Sequence, residues 1–129
     1  MREKETCHFW VGQFPLAVAE NYFAEVWDEN DPDREHTPLS AFARDQGVKW
    51  YDHDFIEYGW GQADTIQELV KGYSYSDQWA EELARRAAAA GLSGVNVFVF
   101  ITAEEIEHPR SINCALYWLH HLGTIEYRI

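Results

Sequence analysis

The chain has 129 residues, 47% of them apolar and 16% aromatic, and a net charge of −12 with histidine neutral. That length suits one domain spanning residues 1–129, and the aromatics supply enough buried area for a core without staples, which excludes a disordered chain. The acidity disfavours nucleic acid, whose phosphates would be repelled, and disfavours anionic membrane surfaces; it favours basic partners or serves solubility alone.

The first element is expected in residues 7–14, CHFWVGQF, an apolar aromatic run that reads as a buried strand. Pro15 ends it and suits the first turn of a helix, in which Leu16, Ala19, Phe23 and Val26 recur at helical spacing over about three turns. Residues 29–38, ENDPDREHTP, are polar, carry two prolines and read as a surface loop. A second helix follows over residues 39–46, with Thr37 as its cap, Pro38 in its first position and Gly47 just past its end.

Residues 48–61, VKWYDHDFIEYGWG, read as a strand with a bend near Asp52–Asp54. Asp64 and Gln67 are placed to form a capping box for a third helix running through Val70. Ser74 or Ser76 caps the fourth and longest helix, which ends before Gly91. Trp79, Leu83 and Ala87 share one of its faces, and Glu81–Arg85 and Glu82–Arg86 are spaced for ion pairs on the other.

Residues 95–101, VNVFVFI, carry the pattern of a central strand covered on both faces. Two last strands are expected over residues 113–119 and 123–129, as a hairpin turning near His120 and His121 and leaving one sheet edge open. The order β-α-α-β-α-α-β-β-β gives an α+β fold: a single sheet of about four to five strands packed against three to four helices.

Cys7 and Cys114 both lie in apolar runs, where buried, inert thiols are usual. The charged start MREKETC lacks the apolar stretch of a secretion signal, and no run reaches membrane-spanning length. The expected location is therefore cytoplasmic, with reduced thiols.

Little points to catalysis. Asp52, His53 and Asp54 offer carboxylate, imidazole and carboxylate, but in an extended segment His53 would face away from the two acids. A bend with solvated charges fits better. Adjacent His120 and His121 would likewise diverge on a strand. No nucleophile motif, phosphate loop or metal-ligand spacing is present, so no catalytic residue, metal or cofactor is assigned.

The acids are more informative. Residues 20–35 hold seven acids against Arg34 alone, and residues 52–68 hold five with no Lys or Arg. The second stretch interleaves them with Trp50, Tyr51, Phe55, Tyr58 and Trp60. Either these rings are core and the acids a solvated face, or exposed rings amid carboxylates form a contact surface for a basic protein. The residues named for such a surface are Trp50, Asp52, Asp54, Glu57, Tyr58 and Trp60. Tyr73 and Tyr75 in GYSYSDQW read as packing at a helix–helix junction.

CHFWVGQF, FARDQGVKWYDHDFIEYGW and GYSYSDQW resemble the bacterial family called immunity protein 22, as do, more loosely, INCALYWL and GTIEY near the end. The resemblance covers most of the chain. It implies a role in polymorphic toxin systems, in which such a protein is encoded beside a toxin and binds it so that the producing cell survives. No catalytic residue comes with it. A small metal- or ligand-binding, enzyme-like domain is the alternative, and a subunit that dimerises through an edge strand is a third; the oligomeric state is not legible.

Overall fold

The computed structural model describes residues 3–26 and 37–129. The elements in chain order are β1 (Lys4–Gln13), α1 (Leu16–Tyr22), α2 (Ala41–Gln46), β2 (Ile56–Trp60), α3 (Ile66–Leu69), α4 (Ser76–Ala89), β3 (Val97–Thr102), β4 (Ile112–Asn113) and β5 (Trp118–Arg128). This is the expected order. The strands form one antiparallel sheet, β2-β3-β1-β5-β4, and the fold is α+β.

Side-chain alternation gives the sheet two apolar faces. One carries Trp10, Val97, Val99, Ile101 and Leu119, and is covered by Ala19, Tyr22 and Phe23 from the α1 segment with Phe42 and Ala43 of α2. The other carries Phe9, Val11, Phe98, Phe100 and Ile125, and is covered by Val70 after α3 and by Trp79, Leu83 and Ala87 of α4. The expected Trp79–Leu83–Ala87 stripe is thus the buried face of α4. Every residue of β3 is buried, as its apolar run requires, although β1 is the strand at the centre.

Several local expectations are corrected. α1 has seven residues rather than three turns. Leu16 and Val26 are exposed, so its buried apolar stripe is Ala19, Tyr22 and Phe23, with Val18 partly buried beside them. α2 starts later than expected, because Ser40, not Thr37, accepts the backbone N–H of Ala43. Gly47 does close it, with φ of 74°.

The capping box of α3 is one residue displaced. Thr65 accepts the N–H of Glu68 at 3.1 Å, and the Glu68 carboxylate takes the N–H of Asp64 at 3.3 Å. α4 has no side-chain cap; Tyr75 precedes it in the left-handed region, with φ of 59°. Glu82 pairs with Arg86 as expected, and it also takes Arg85, in place of the expected Glu81–Arg85 pair.

The largest correction concerns the last hairpin. β5 runs unbroken through His120 and His121. Its pairing with β1 shifts register between His8 and Trp10, and Gly123 nearby has φ of 91°, so the strand absorbs an irregularity instead of turning. The chain turns earlier, at residues 114–117, where the N–H of Cys114 bonds the carbonyl of Tyr117. Cys114 is consequently exposed, contrary to expectation. Cys7 is buried, and burial pushes its thiol up to about 11. Most of the loop expected at residues 29–38, and the acids from Asp28 to Glu35, lie outside the described residues.

Candidate functional site

Residues 50–60 leave the α2 region, make one tight turn and enter the sheet as an edge strand. Tyr51 anchors the start: it is buried, and its hydroxyl pairs with Ser40 at 3.0 Å. Burial pushes its phenol pKa up. Trp50, one residue earlier, is 58% exposed.

Next comes a 3-10 turn over His53–Phe55. Asp52 caps it by accepting the N–H of Asp54 at 3.0 Å, while its own N–H donates to Glu105 at 2.6 Å. That last bond ties the turn to the segment following β3. Phe55 is 46% exposed. The turn brings ligand atoms of Asp52, His53 and Asp54 within 4.8 Å of one another, a convergence that strand alternation had argued against. His53 lies 3.3 Å from Asp54 and 3.8 Å from Glu25. The group faces solvent, and its hydrogen bonds and ion contacts account for its arrangement.

β2 itself splits the predicted residues between the two faces of the sheet. Tyr58 and Trp60 pack with Ile56 against the first apolar face. Phe23 stacks on Tyr58 at 4.3 Å, and Trp60 lies parallel to Tyr58 at 6.2 Å. Both rings are half-buried. Glu57 points to the other face and accepts the hydroxyl of Ser74 at 2.9 Å. The six predicted residues are therefore not one flat patch. Trp50 precedes the turn that holds Asp52 and Asp54, Tyr58 and Trp60 lie on one side of the edge strand, and Glu57 lies on the other.

Sequence reasoning missed Phe55 as an exposed ring of this site and Glu105 as the group that holds the turn. The first was visible as an aromatic beside two acids. The second had no local signal, since it is 53 residues away.

Tyr73 and Tyr75, between α3 and α4, do pack, but the rings they meet are on strands of the sheet and not at a helix–helix junction. Tyr73 lies edge-on to Phe98 at 4.6 Å, and Tyr75 stacks on Tyr127 at 5.3 Å. On the far side of the sheet, an open cleft of about 460 Å³ is lined by Gln13, Leu92, Asn113, Trp118 and His120 among others, with no carboxylate in its lining.

The structure thus defines an α+β domain that gathers exposed rings and carboxylates along the β2 edge of its sheet. The chain belongs to the family Immunity protein 22, whose model matches residues 7–128, nearly its whole length. Membership carries a general role in neutralising a toxin. The chain has no significant match among curated proteins or among solved structures. Among the described residues, no helix is long and apolar enough to cross a membrane.

Proposed function

We propose that this protein neutralises a bacterial polymorphic toxin in the cytoplasm by one-to-one binding, not by catalysis, and that the segment around Trp50, Asp52, Asp54, Glu57, Tyr58 and Trp60 meets a basic surface of the toxin. The observation that carries this reading is the exposure of Trp50 beside the Asp52–Asp54 turn. An exposed indole among carboxylates is the residue mix of an interface hot spot. Residues 50–70 contain five acids and no Lys or Arg, within a chain of net charge −12.

A toxin that acts on nucleic acid needs a positive surface to hold phosphate, so a nuclease fits this partner chemistry best. An acidic antidote would be steered to such a surface and would cover it. Nucleic acid and membranes are not partners in this reading, and no cofactor takes part.

The test is co-expression with the toxin domain encoded beside the gene, at controlled molar ratios. Survival that requires at least one antidote per toxin supports stoichiometric blocking. Survival at a small fraction of the toxin concentration would indicate turnover and overturn it. No protection at any ratio would overturn the immunity reading itself.

A further inference from the structure

The two edges of the sheet are treated differently by the fold. At the β5 edge, β4 pairs with Trp118 and Leu119. Beyond it, Ser111 accepts the N–H of His121 at 2.9 Å, and Arg86 donates to the carbonyls of Leu122 and Thr124 at 2.9 and 2.8 Å. The Gln78 carboxamide pairs with both backbone groups of Arg128. This edge is closed by side chains, a recognised defence against adding another strand.

The β2 edge has no such cover among the described residues. The N–H of Gly61 bonds the carbonyl of Asn96, one step beyond the Trp60–Val97 pair. Antiparallel alternation then turns the backbone groups of Gly59 and Glu57 toward β3, and those of Ile56, Tyr58 and Trp60 outward. None of those three residues makes a hydrogen bond on its outer side among the described residues.

We propose that β2 is the docking edge, and that its occupant is a basic extended segment of the toxin, which adds to the sheet as a sixth strand. The proposal rests on the immunity reading and specifies its binding mode. Five residues of strand offer three outward-facing backbone positions, enough to fix the register of an added strand. Charge chooses the occupant. Glu57 lies on one side of the edge and Asp52 and Asp54 at its start, with no Lys or Arg between residues 50 and 70. A second copy of the chain would bring another net charge of −12 to the same edge. Cross-strand pairing further defines the segment: apolar side chains would lie beside Tyr58 and Trp60, and Lys or Arg would alternate with them beside Glu57.

The experiment uses the full chain and the toxin domain encoded beside its gene. Amide hydrogen exchange is measured in the free chain and in the complex, together with the affinities of Tyr58→Pro and Tyr58→Val. Proline removes the outward N–H at an edge position that tolerates it, whereas valine keeps the N–H and removes only the ring. The expected result is exchange at least tenfold slower at Ile56, Tyr58 and Trp60 in the complex. Affinity should fall about 100-fold for Tyr58→Pro and less than tenfold for Tyr58→Val. The toxin segment that gains protection should carry Lys or Arg.

A tight one-to-one complex in which those three amides exchange as in the free chain overturns the edge and leaves the immunity reading intact. So does wild-type affinity in Tyr58→Pro, a protected toxin segment without basic residues, or a free chain that dimerises through β2. If Tyr58→Pro fails to fold, the exchange measurement on the wild-type complex decides. A wild-type chain that binds no toxin overturns both the reading and the edge.

Discussion

The side-chain amide of Gln78 binds Arg128 as a neighbouring strand would, accepting its N–H at 2.9 Å and donating to its carbonyl at 2.8 Å. A residue of α4 thereby ends the sheet at β5, with Arg86 doing the same two turns further along the helix. Replacing both, as Gln78→Leu with Arg86→Leu, should reopen that edge. We expect a stability loss of about 1–2 kcal/mol, since the freed backbone groups can still find water. We also expect concentration-dependent self-association. Urea unfolding and sizing chromatography check the two effects; a double variant that stays monomeric would show that the plugs are not needed to close the edge.

Gly59 sets how closely β2 packs over the second face. A Cβ at this position would collide with the Tyr73 hydroxyl and lie 2.8 Å from Phe98 Cε1. Gly59→Ala should therefore push Tyr73 aside and destabilise the chain by about 1–3 kcal/mol. Because the displaced strand carries Tyr58 and Trp60, toxin affinity should fall as well. Adding Tyr73→Phe, which removes the colliding hydroxyl, should recover part of the stability in urea melts.

His8 and His121 meet on neighbouring central strands, with Nδ1 of one 3.0 Å from Nε2 of the other. Burial lowers both pKa values, and that of His121 reaches about 4, with the nearby His8 and His120 adding to the effect. The unfolded chain, with ordinary histidines near 6.5, binds protons that the folded pair refuses. Stability from this pair is therefore fully present above about pH 6.5 and is lost as pH falls from 6.5 toward 4. After allowance for partial exposure the loss is on the order of 1–2 kcal/mol. Urea midpoints at pH 7.5 and 5.0 should converge for His121→Leu relative to wild type; an equal pH dependence in both proteins would remove the pair as its source.

Two tryptophans should separate binding from stability. Trp10 is fully buried and donates through Nε1 to the Arg110 carbonyl at 2.9 Å. Trp10→Ala should destabilise by about 3–5 kcal/mol. Trp50 is mostly exposed, so Trp50→Ala should leave stability within about 0.5 kcal/mol while weakening toxin binding by about 2 kcal/mol or more. Chemical unfolding and calorimetric titration of each variant check the split.

The order of the nine elements was legible because periodicity and breakers agreed. Pro15, Gly47 and the VNVFVFI run each mark a boundary or a burial pattern that the fold keeps. Caps were misread by one to three residues because Thr37, Ser40, Asp64 and Thr65 are all competent acceptors, and tertiary position chooses between them. The final turn was missed for a different reason. Residues 114–117, CALY, hold no Gly, Pro, Asn or Asp, while the paired histidines that suggested a turn sit inside β5.

For the candidate site, density of acids and rings was visible in the sequence, but facing was not. Trp50 and Tyr51 are neighbours with opposite fates, one exposed and one buried. Glu57 and Tyr58 lie on opposite sides of one strand. The bend at Asp52–Asp54 was legible, but the Glu105 carboxylate that holds it, 53 residues away, has no local sequence signature.

The most direct measurement of the central claim is calorimetric titration of the toxin domain with wild-type protein and with Asp52→Lys/Asp54→Lys, at low and moderate salt. Asp54 is exposed and Asp52 half-buried, and the substitutions remove only the side-chain cap of a three-residue turn, so the variant should still fold. We predict one-to-one binding by wild type that weakens with salt, and a loss of at least 100-fold in the charge-reversed variant. Unchanged affinity in a folded variant would contradict the account and move the toxin contact away from this edge.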